Sequence, residues 1–387
     1  MADASVIVVG GGASGLSAAA ALKQRGIDAL VLEQDPQVGG TWARRYDRLH
    51  LHTVRRFSGL AHYGIPRRYP KYLPRDQFVA YLREYAEHFR LNIVTGCEVT
   101  EIARDSAESR WKVATADGKT WKSDAIVVAT GQYRAPIKPT WPGVDSYTGW
   151  LSHSVGYSNP KPYIGKRVLV VGAGNSGAEI ATDIAENGAK FVALSIRTPP
   201  MIVPRDPFGM PVQRTGILLS FLPPALADRL GRLTARIVLG DLTQLKIPRP
   251  SWGPYSAKRI PLIDVGFVDA VRRGLVQVRP GVQRLSPTGA VYADGVEEPF
   301  DAIVAAIGFE TGLASLIEGA GVLNEAAEPL AASGEETARP GLYFIGFVHS
   351  LRGHLFEANR ASKRLARNVE KYLGTNTDSK ANYLAGS

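Results

Sequence analysis

The chain has 387 residues, 45% of them hydrophobic and 21% charged, enough for two domains of ordinary size or for one domain interrupted by another; a disordered or fibrous protein is excluded. Its net charge of +10 favours phosphate-bearing small molecules, while the scatter of Lys and Arg and the lack of any nucleic-acid-binding motif argue against a nucleic-acid partner. Cys97 is the only cysteine, so an intrachain disulfide and any C-x-x-C redox relay are excluded.

The first predicted element is an apolar strand, SVIVV, followed by Gly10-x-Gly12-x-x-Gly15 and a helix-like run, SGLSAAAALKQRG. No basic segment, separate apolar core and small-residue cleavage site precede the strand, which predicts a cytoplasmic protein. In such a strand–turn–helix the first glycine permits the tight turn, the second lets a pyrophosphate approach the backbone, and the third lets helix and strand pack closely. Phosphate then sits at the helix N-terminus, where unpaired N–H groups and the helix dipole favour negative charge. The next strand, DALVLEQ, ends at Glu33, placed to accept the hydroxyls of an unphosphorylated ribose. The opening residues thus predict a dinucleotide site.

The same signature returns as Gly172-x-Gly174-x-x-Gly177, between the strand KRVLVV and the helix-like SGAEIATDIAENGAK. Its following strand, FVALSIRT, carries no terminal acid and offers Ser195 and Arg197 instead. A guanidinium there suits a 2′-phosphate bidentately, so the second nucleotide is predicted to be NADPH. Next comes an apolar region about residues 205–250, broken by Pro223 and Pro224 and by charge before it can span a bilayer. It reads as a helical insertion, a lid or helical core, with no stable membrane insertion.

The repetition extends to ADGKTWKSDAIVVATG at 116–131 and ADGVEEPFDAIVAAIG at 293–308, in which Asp117 and Asp124 share the spacing of Asp294 and Asp301. Closing segments RPGLYFIGF and EANRASKRLARNVEKYL read as material returning to the first unit. The predicted fold class is α/β: two Rossmann-like dinucleotide-binding domains, the first (1–160 and 301–375) interrupted by the second (161–300), with residues 376–387 a flexible tail.

Between the fingerprints lies YTGWLSHSVGY, in which Tyr147, Gly149, His153 and Tyr157 follow the flavin monooxygenase pattern F-x-G-x-x-x-H-x-x-x-[YF] with Tyr at its first position. Baeyer–Villiger enzymes carry Trp where this chain has Tyr157. With VGGTWARRYDRLHLHTVRRF at 38–57, NSGAEIA at 175–181, RIVLGDLTQLKIPRPSWGP at 236–254, PLIDVG at 261–266 and AIGF at 306–309, the chain resembles the class B flavin-dependent monooxygenases, and within them the YUCCA-type indole-3-pyruvate monooxygenases. The usual ATG triplet of that branch reads Ala306-Ile307-Gly308, and the C-terminal HSLRGHLFEANRA fits the plant sequences less well.

The resemblance implies FAD on Gly10, Gly12, Gly15, Glu33, Gly39, Gly40, Thr41 and Trp42, with Thr130 and Gly131 closing over it, and NADPH on Gly172, Gly174, Asn175, Ser176, Gly177, Ser195 and Arg197. Gly149, Tyr157 and Gly308 join the cofactor-binding set through their motifs, and His52 and His153 are the candidate catalytic residues; no metal cluster is expected. The implied activity is that of an NADPH-dependent flavin monooxygenase with a small-molecule substrate and molecular oxygen as partners. NADPH reduces FAD, oxygen adds to the reduced flavin, and a C4a-(hydro)peroxyflavin delivers one oxygen atom. An aromatic 2-oxo acid such as indole-3-pyruvate is the expected substrate; N- or S-oxygenation of a soft nucleophile is the alternative, and reduction of a quinone or protein partner a further one. Disulfide reductase chemistry falls with the missing cysteine pair.

Overall fold

The computed structural model of the chain describes residues 2–105, 110–317 and 321–385, with the backbone alone at residue 2 and from 376 onward. Among the described residues two sheets organise the molecule. The first runs in the order Asn92–Val94, Leu30–Leu32, Ala2–Val9, Thr120–Val128, Arg110–Thr115 and Val99–Asp105, with Leu342–Phe344 also on Thr120–Val128. Thr120–Val128 pairs parallel with Ala2–Val9 along its length; on its other side it meets Arg110–Thr115 antiparallel at its start and Leu342–Phe344 parallel at its end. Runs such as Val6–Val9 and Ala125–Val128 are apolar at every position because both faces of this part of the sheet are covered.

The second sheet is wholly parallel, in the order Val276–Pro280, Phe191–Ile196, Arg167–Val171, Ala302–Ala305 and Trp150–His153. Ala302–Ala305 stands beside Arg167–Val171 as Thr120–Val128 stands beside Ala2–Val9. In each unit an Asp-Gly turn, at Asp117-Gly118 and at Asp294-Gly295, joins antiparallel strands just before, with φ of 78° and 82° at the two glycines. The fold is therefore the expected pair of Rossmann-like units, built twice on one plan. The second unit reaches further than 161–300 in both directions, since its sheet recruits Trp150–His153 and Ala302–Ala305. A fingerprint marks the first strand of a unit and carries no sign of an edge strand lying earlier in the chain.

Leu342–Phe344 returns the chain to the first sheet, and the helix His354–Ala385 packs along the helix Ala13–Lys23. Small residues permit that approach: Ala18, Ala21 and Ala361 share one core, and the Ser362 hydroxyl lies 2.8 Å from that of Ser17. The helix continues through Ala385, so most of the segment expected to be a flexible tail is helical; residues 386 and 387 lie outside the described residues. Helices Val212–Leu219 and Pro224–Leu239 form the insertion, set between the paired short strands Ile202–Pro204 and Leu262–Asp264. No helix among the described residues is long and apolar enough to cross a membrane.

Candidate active site

The two fingerprints have nearly superimposable local constraints. Gly10 and Gly172 adopt φ of 107° and 115°, and a Cβ on either would collide with the carbonyl oxygen of the adjacent strand, Ala129 or Ala306. A Cβ on Gly15 or Gly177 would collide with the carbonyl oxygen of Gly10 or Gly172, which fixes how closely each helix approaches its strand. Gly12 and Gly174 are different: a Cβ there would meet nothing within 4 Å. Both middle glycines line a cavity and leave open the space that a pyrophosphate needs.

That cavity, of about 690 Å³, runs between the two units and the insertion. It gathers Gly10, Gly12, Glu33, Thr41, Trp42, His52, Thr130, Gly131, Gly174, Asn175, Ser176, Gly177 and Gly308, residues drawn from widely separated stretches of sequence. The Glu33 carboxylate is buried and accepts from the backbone N–H of Gly11 (2.5 Å) and Asp35 (2.8 Å). Burial raises its pKa, against those two hydrogen bonds, which lower it. Thr130 presents a buried hydroxyl with no hydrogen-bond partner among the described residues, an unsatisfied polar atom at the place where a flavin is expected to be closed over. The open glycine, the held carboxylate and the orphaned hydroxyl fit a bound dinucleotide.

Gly39, with φ of 77°, turns the chain into the short helix Gly40–Ala43, and a Cβ on Gly40 would press on the Asp35 carboxylate at 2.5 Å. These two glycines shape the turn, and Thr41 and Trp42 are the residues it delivers to the cavity. The Trp42 ring is braced edge-on by Phe78, centroids 4.6 Å apart.

Other expected residues are kept away from the cavity. The Ser195 hydroxyl is buried, donating to the Pro280 carbonyl (2.7 Å) and accepting from the Val282 N–H (3.1 Å), so it holds neighbouring chain instead of presenting itself to a nucleotide. Arg197, two residues on, is exposed at the end of its strand. Tyr157 is buried and donates to Asp183 at 2.7 Å. Gly149 is required by packing, since a Cβ would collide with the Tyr147 hydroxyl. Each of Ser195, Tyr157 and Gly149 thus has an internal structural use.

His153 also departs from expectation. Its Nδ1 accepts from the Val155 N–H at 3.1 Å and its Nε2 donates to the Gly308 carbonyl at 3.0 Å, so both ring nitrogens are engaged in a neutral ring. Burial lowers its pKa, with the Arg45 charge acting in the same direction. The ring braces Trp150–His153 against the turn after Ala302–Ala305 and has no nitrogen to spare for a substrate.

His52 remains at the cavity, where its Nε2 meets the carboxylate of Glu179 from the helix Asn175–Glu186. Glu179 is buried and also accepts from the Tyr46 hydroxyl, which Ser176 supports in turn; burial and then Glu179 push the Tyr46 pKa well up. Three more cavity residues were not singled out individually from the sequence. The half-buried Arg45 guanidinium lies over Phe309, 5.0 Å from the ring centroid, and forms no ion pair among the described residues; burial lowers its pKa. Gln213 joins the insertion to two loops, accepting from the Val54 N–H (2.9 Å) and donating to the Arg352 carbonyl (2.7 Å). His354 brings the C-terminal segment to Ser14 at the first helix's N-terminus. In the sequence, Arg45 lies in the arginine-rich run ARRYDRLHLHTVRR at 43–56, which offers candidates for holding a substrate carboxylate, and His354 lies in the C-terminal motif at 349–361; no sequence signal pointed to Gln213.

A family model described as flavin-binding monooxygenase-like matches residues 3–381. Indole-3-pyruvate monooxygenase YUCCA1 of Oryza sativa subsp. japonica is 37% identical over 350 residues, covering 88% of this chain and 86% of that protein. Probable indole-3-pyruvate monooxygenase YUCCA1 of Arabidopsis thaliana is 34% identical, covering 92% and 87%. Among solved structures, a flavin-containing monooxygenase from Stenotrophomonas maltophilia superposes with a TM-score of 0.73 at 25% identity, covering 96% of this chain and 100% of that one. A closed cyclohexanone monooxygenase shares the fold at a TM-score of 0.73 and 19% identity, covering 95% and 85%.

Proposed function

The chain belongs to the flavin-binding monooxygenase-like family and is an FAD- and NADPH-dependent monooxygenase; on that premise we propose that it oxidatively decarboxylates an aromatic 2-oxo acid such as indole-3-pyruvate. The observation that carries the substrate is Arg45, a half-buried cation in the cavity wall with no carboxylate partner among the described residues, set on the aromatic ring of Phe309. An aromatic 2-oxo acid supplies both the carboxylate and the flat apolar body that such a wall receives. The relatives named for indole-3-pyruvate support the same reading.

Gly12 and the N-terminus of the helix Ala13–Lys23 hold the FAD pyrophosphate, Glu33 its ribose, and Trp42, Thr130 and Gly131 enclose it. Gly174, Asn175, Ser176 and Gly177 would hold the corresponding part of NADPH, and Arg197, exposed at the strand end, would supply the charge for its 2′-phosphate. When bound, these cofactors supply the electrons and the activated oxygen. The chain supplies orientation and the exclusion of water. Glu179 fixes the His52 ring in the cavity wall, and Arg45 holds the substrate carboxylate. One atom of oxygen enters the shortened acid, the other leaves as water, the carboxyl group leaves as CO₂, and NADPH provides the two electrons. We place the enzyme in the cytoplasm.

The test is product analysis after aerobic turnover with indole-3-pyruvate, phenylpyruvate, sulfides and amines, with NADPH oxidation followed in parallel. Stoichiometric NADPH loss with formation of the decarboxylated acid supports the proposal; oxygenated product from sulfides or amines alone replaces it with N- or S-oxygenation. Arg45→Ala should raise KM for the oxo acid about tenfold to a hundredfold, the worth of a charge-assisted hydrogen bond of roughly 1.5–3 kcal/mol, and leave KM for NADPH unchanged.

A further inference from the structure

The insertion has two faces with opposite surroundings. Inward, Val212, Thr215 and Leu219 of one helix and Gly231, Thr234 and Ala235 of the other line the cavity. Outward, Leu226, Leu230, Leu233 and Ile237 are exposed, and their spacing of four, three and four puts them in one stripe along the helix Pro224–Leu239. Phe221, at the turn between the helices, is 80% exposed, and Phe208, on the Pro207–Gly209 turn packed against the same helix, is 73% exposed. This is a contiguous apolar ridge of a kind that soluble surfaces ordinarily avoid.

A second feature lies beside it. Arg229, Arg232 and Arg236 recur at helical spacing on one flank of the stripe; all three are exposed, and none forms an ion pair among the described residues. From Pro207 to Gly240 the only acidic residue is Asp228. It is buried, its carboxylate accepting from the backbone N–H groups of Tyr255 and Ser256 and from the Ser256 hydroxyl. The outer surface of the two helices is therefore apolar and cationic, and the nearest carboxylates outside Pro207–Gly240, those of Asp206 and Asp241, are paired with Lys71 and Arg249.

We infer that this face docks on an anionic lipid bilayer, with the Leu226–Ile237 stripe and Phe221 toward the acyl chains and the arginine row among the headgroup phosphates. A bilayer surface takes an apolar stripe and a cationic flank together, and arginines with no ion-pair partner among the described residues gain one there. A second copy of the chain suits the face less well. Antiparallel pairing through the stripe would set each arginine row against its twin, a repulsive arrangement. Docking in this pose brings the cavity wall formed by the same two helices to the membrane surface without any segment crossing it.

The experiment is sedimentation of the full-length, FAD-loaded protein with vesicles of phosphatidylcholine alone or mixed with phosphatidylglycerol. The protein should pellet with the mixed vesicles, stay in solution with phosphatidylcholine, and be released by high salt. Leu230→Glu with Leu233→Glu should abolish pelleting, and each of Arg229→Gln, Arg232→Gln and Arg236→Gln should weaken it about fivefold, the effect of one basic residue at an anionic surface. NADPH oxidation without vesicles should be unchanged in all of these variants, showing that they fold. No binding to mixed vesicles, or binding that the leucine variants leave intact, would overturn the inference. So would a wild-type dimer that Leu230→Glu with Leu233→Glu splits into monomers, since the stripe would then belong to a second copy.

Discussion

The Nε2 of His52, on the segment that follows the first unit's glycine turn, meets the carboxylate of Glu179 on the first helix of the second unit. The two residues lie 127 apart in sequence and form a polar contact across the cavity between the two units. Removing the buried acceptor leaves the His52 ring and the Tyr46 hydroxyl unsatisfied, at a cost of about 1–3 kcal/mol. Glu179→Ala is expected to lower kcat about tenfold with FAD retained, and Glu179→Gln, which can still accept from an Nε2–H, to recover most of it. Equal losses in both variants would show that the charge is what matters, and no loss in either would remove Glu179 from the positioning of His52.

The glycines of the first fingerprint separate cofactor binding from folding. Gly12→Val should give a folded, colourless protein, because an added Cβ meets no protein atom within 4 Å and the side chain would grow into the space a pyrophosphate needs. Gly15→Val should fail to fold, its Cβ being driven into the Gly10 carbonyl. Absorbance of bound flavin beside circular dichroism distinguishes the two, and a yellow Gly12→Val protein would contradict the assignment of the site.

For NADPH selection the two strand-end residues should behave differently. Arg197→Ala is expected to raise KM for NADPH about tenfold to a hundredfold, roughly 1.5–3 kcal/mol of charge-assisted hydrogen bonding, with little change for NADH. Ser195→Ala should leave that ratio unchanged and lower the melting temperature, because its hydroxyl serves the Pro280 carbonyl and the Val282 N–H. Steady-state kinetics with both nucleotides, together with thermal melts, test the pair.

Stability should decline on the acid side of neutrality. Burial, the largest cause in each case, lowers the pKa of both His153 and His354 below the ordinary value of 6.5. The unfolded chain therefore takes up protons first as pH falls through about 6.5, and the folded state loses the stability it holds above that pH. Melting temperatures measured at about pH 7.5 and about pH 5.5 should show the fall, and His354→Gln should reduce its size. A drop of the same size in the variant would assign it to other groups.

The amino-acid sequence determined the features that depend on neighbours along the chain. Gly10, Gly15 and their counterparts at 172 and 177 are demanded by tight turns and close approaches within a few residues, so their spacing was legible as two candidate nucleotide turns. Glu33 at a strand end and the repeated Asp-Gly turns were legible for the same reason. Tertiary structure decided whatever depends on partners distant in sequence. Ser195 is withdrawn from the nucleotide by chain around residue 280, His153 is occupied by Gly308, and Glu179 becomes the partner of His52 only because the two units close on each other. The insertion shows the same limit: helical periodicity marks a face as apolar, but whether another element covers it is settled only by packing. In the helix Pro224–Leu239 the stripe from Leu226 to Ile237 is left uncovered.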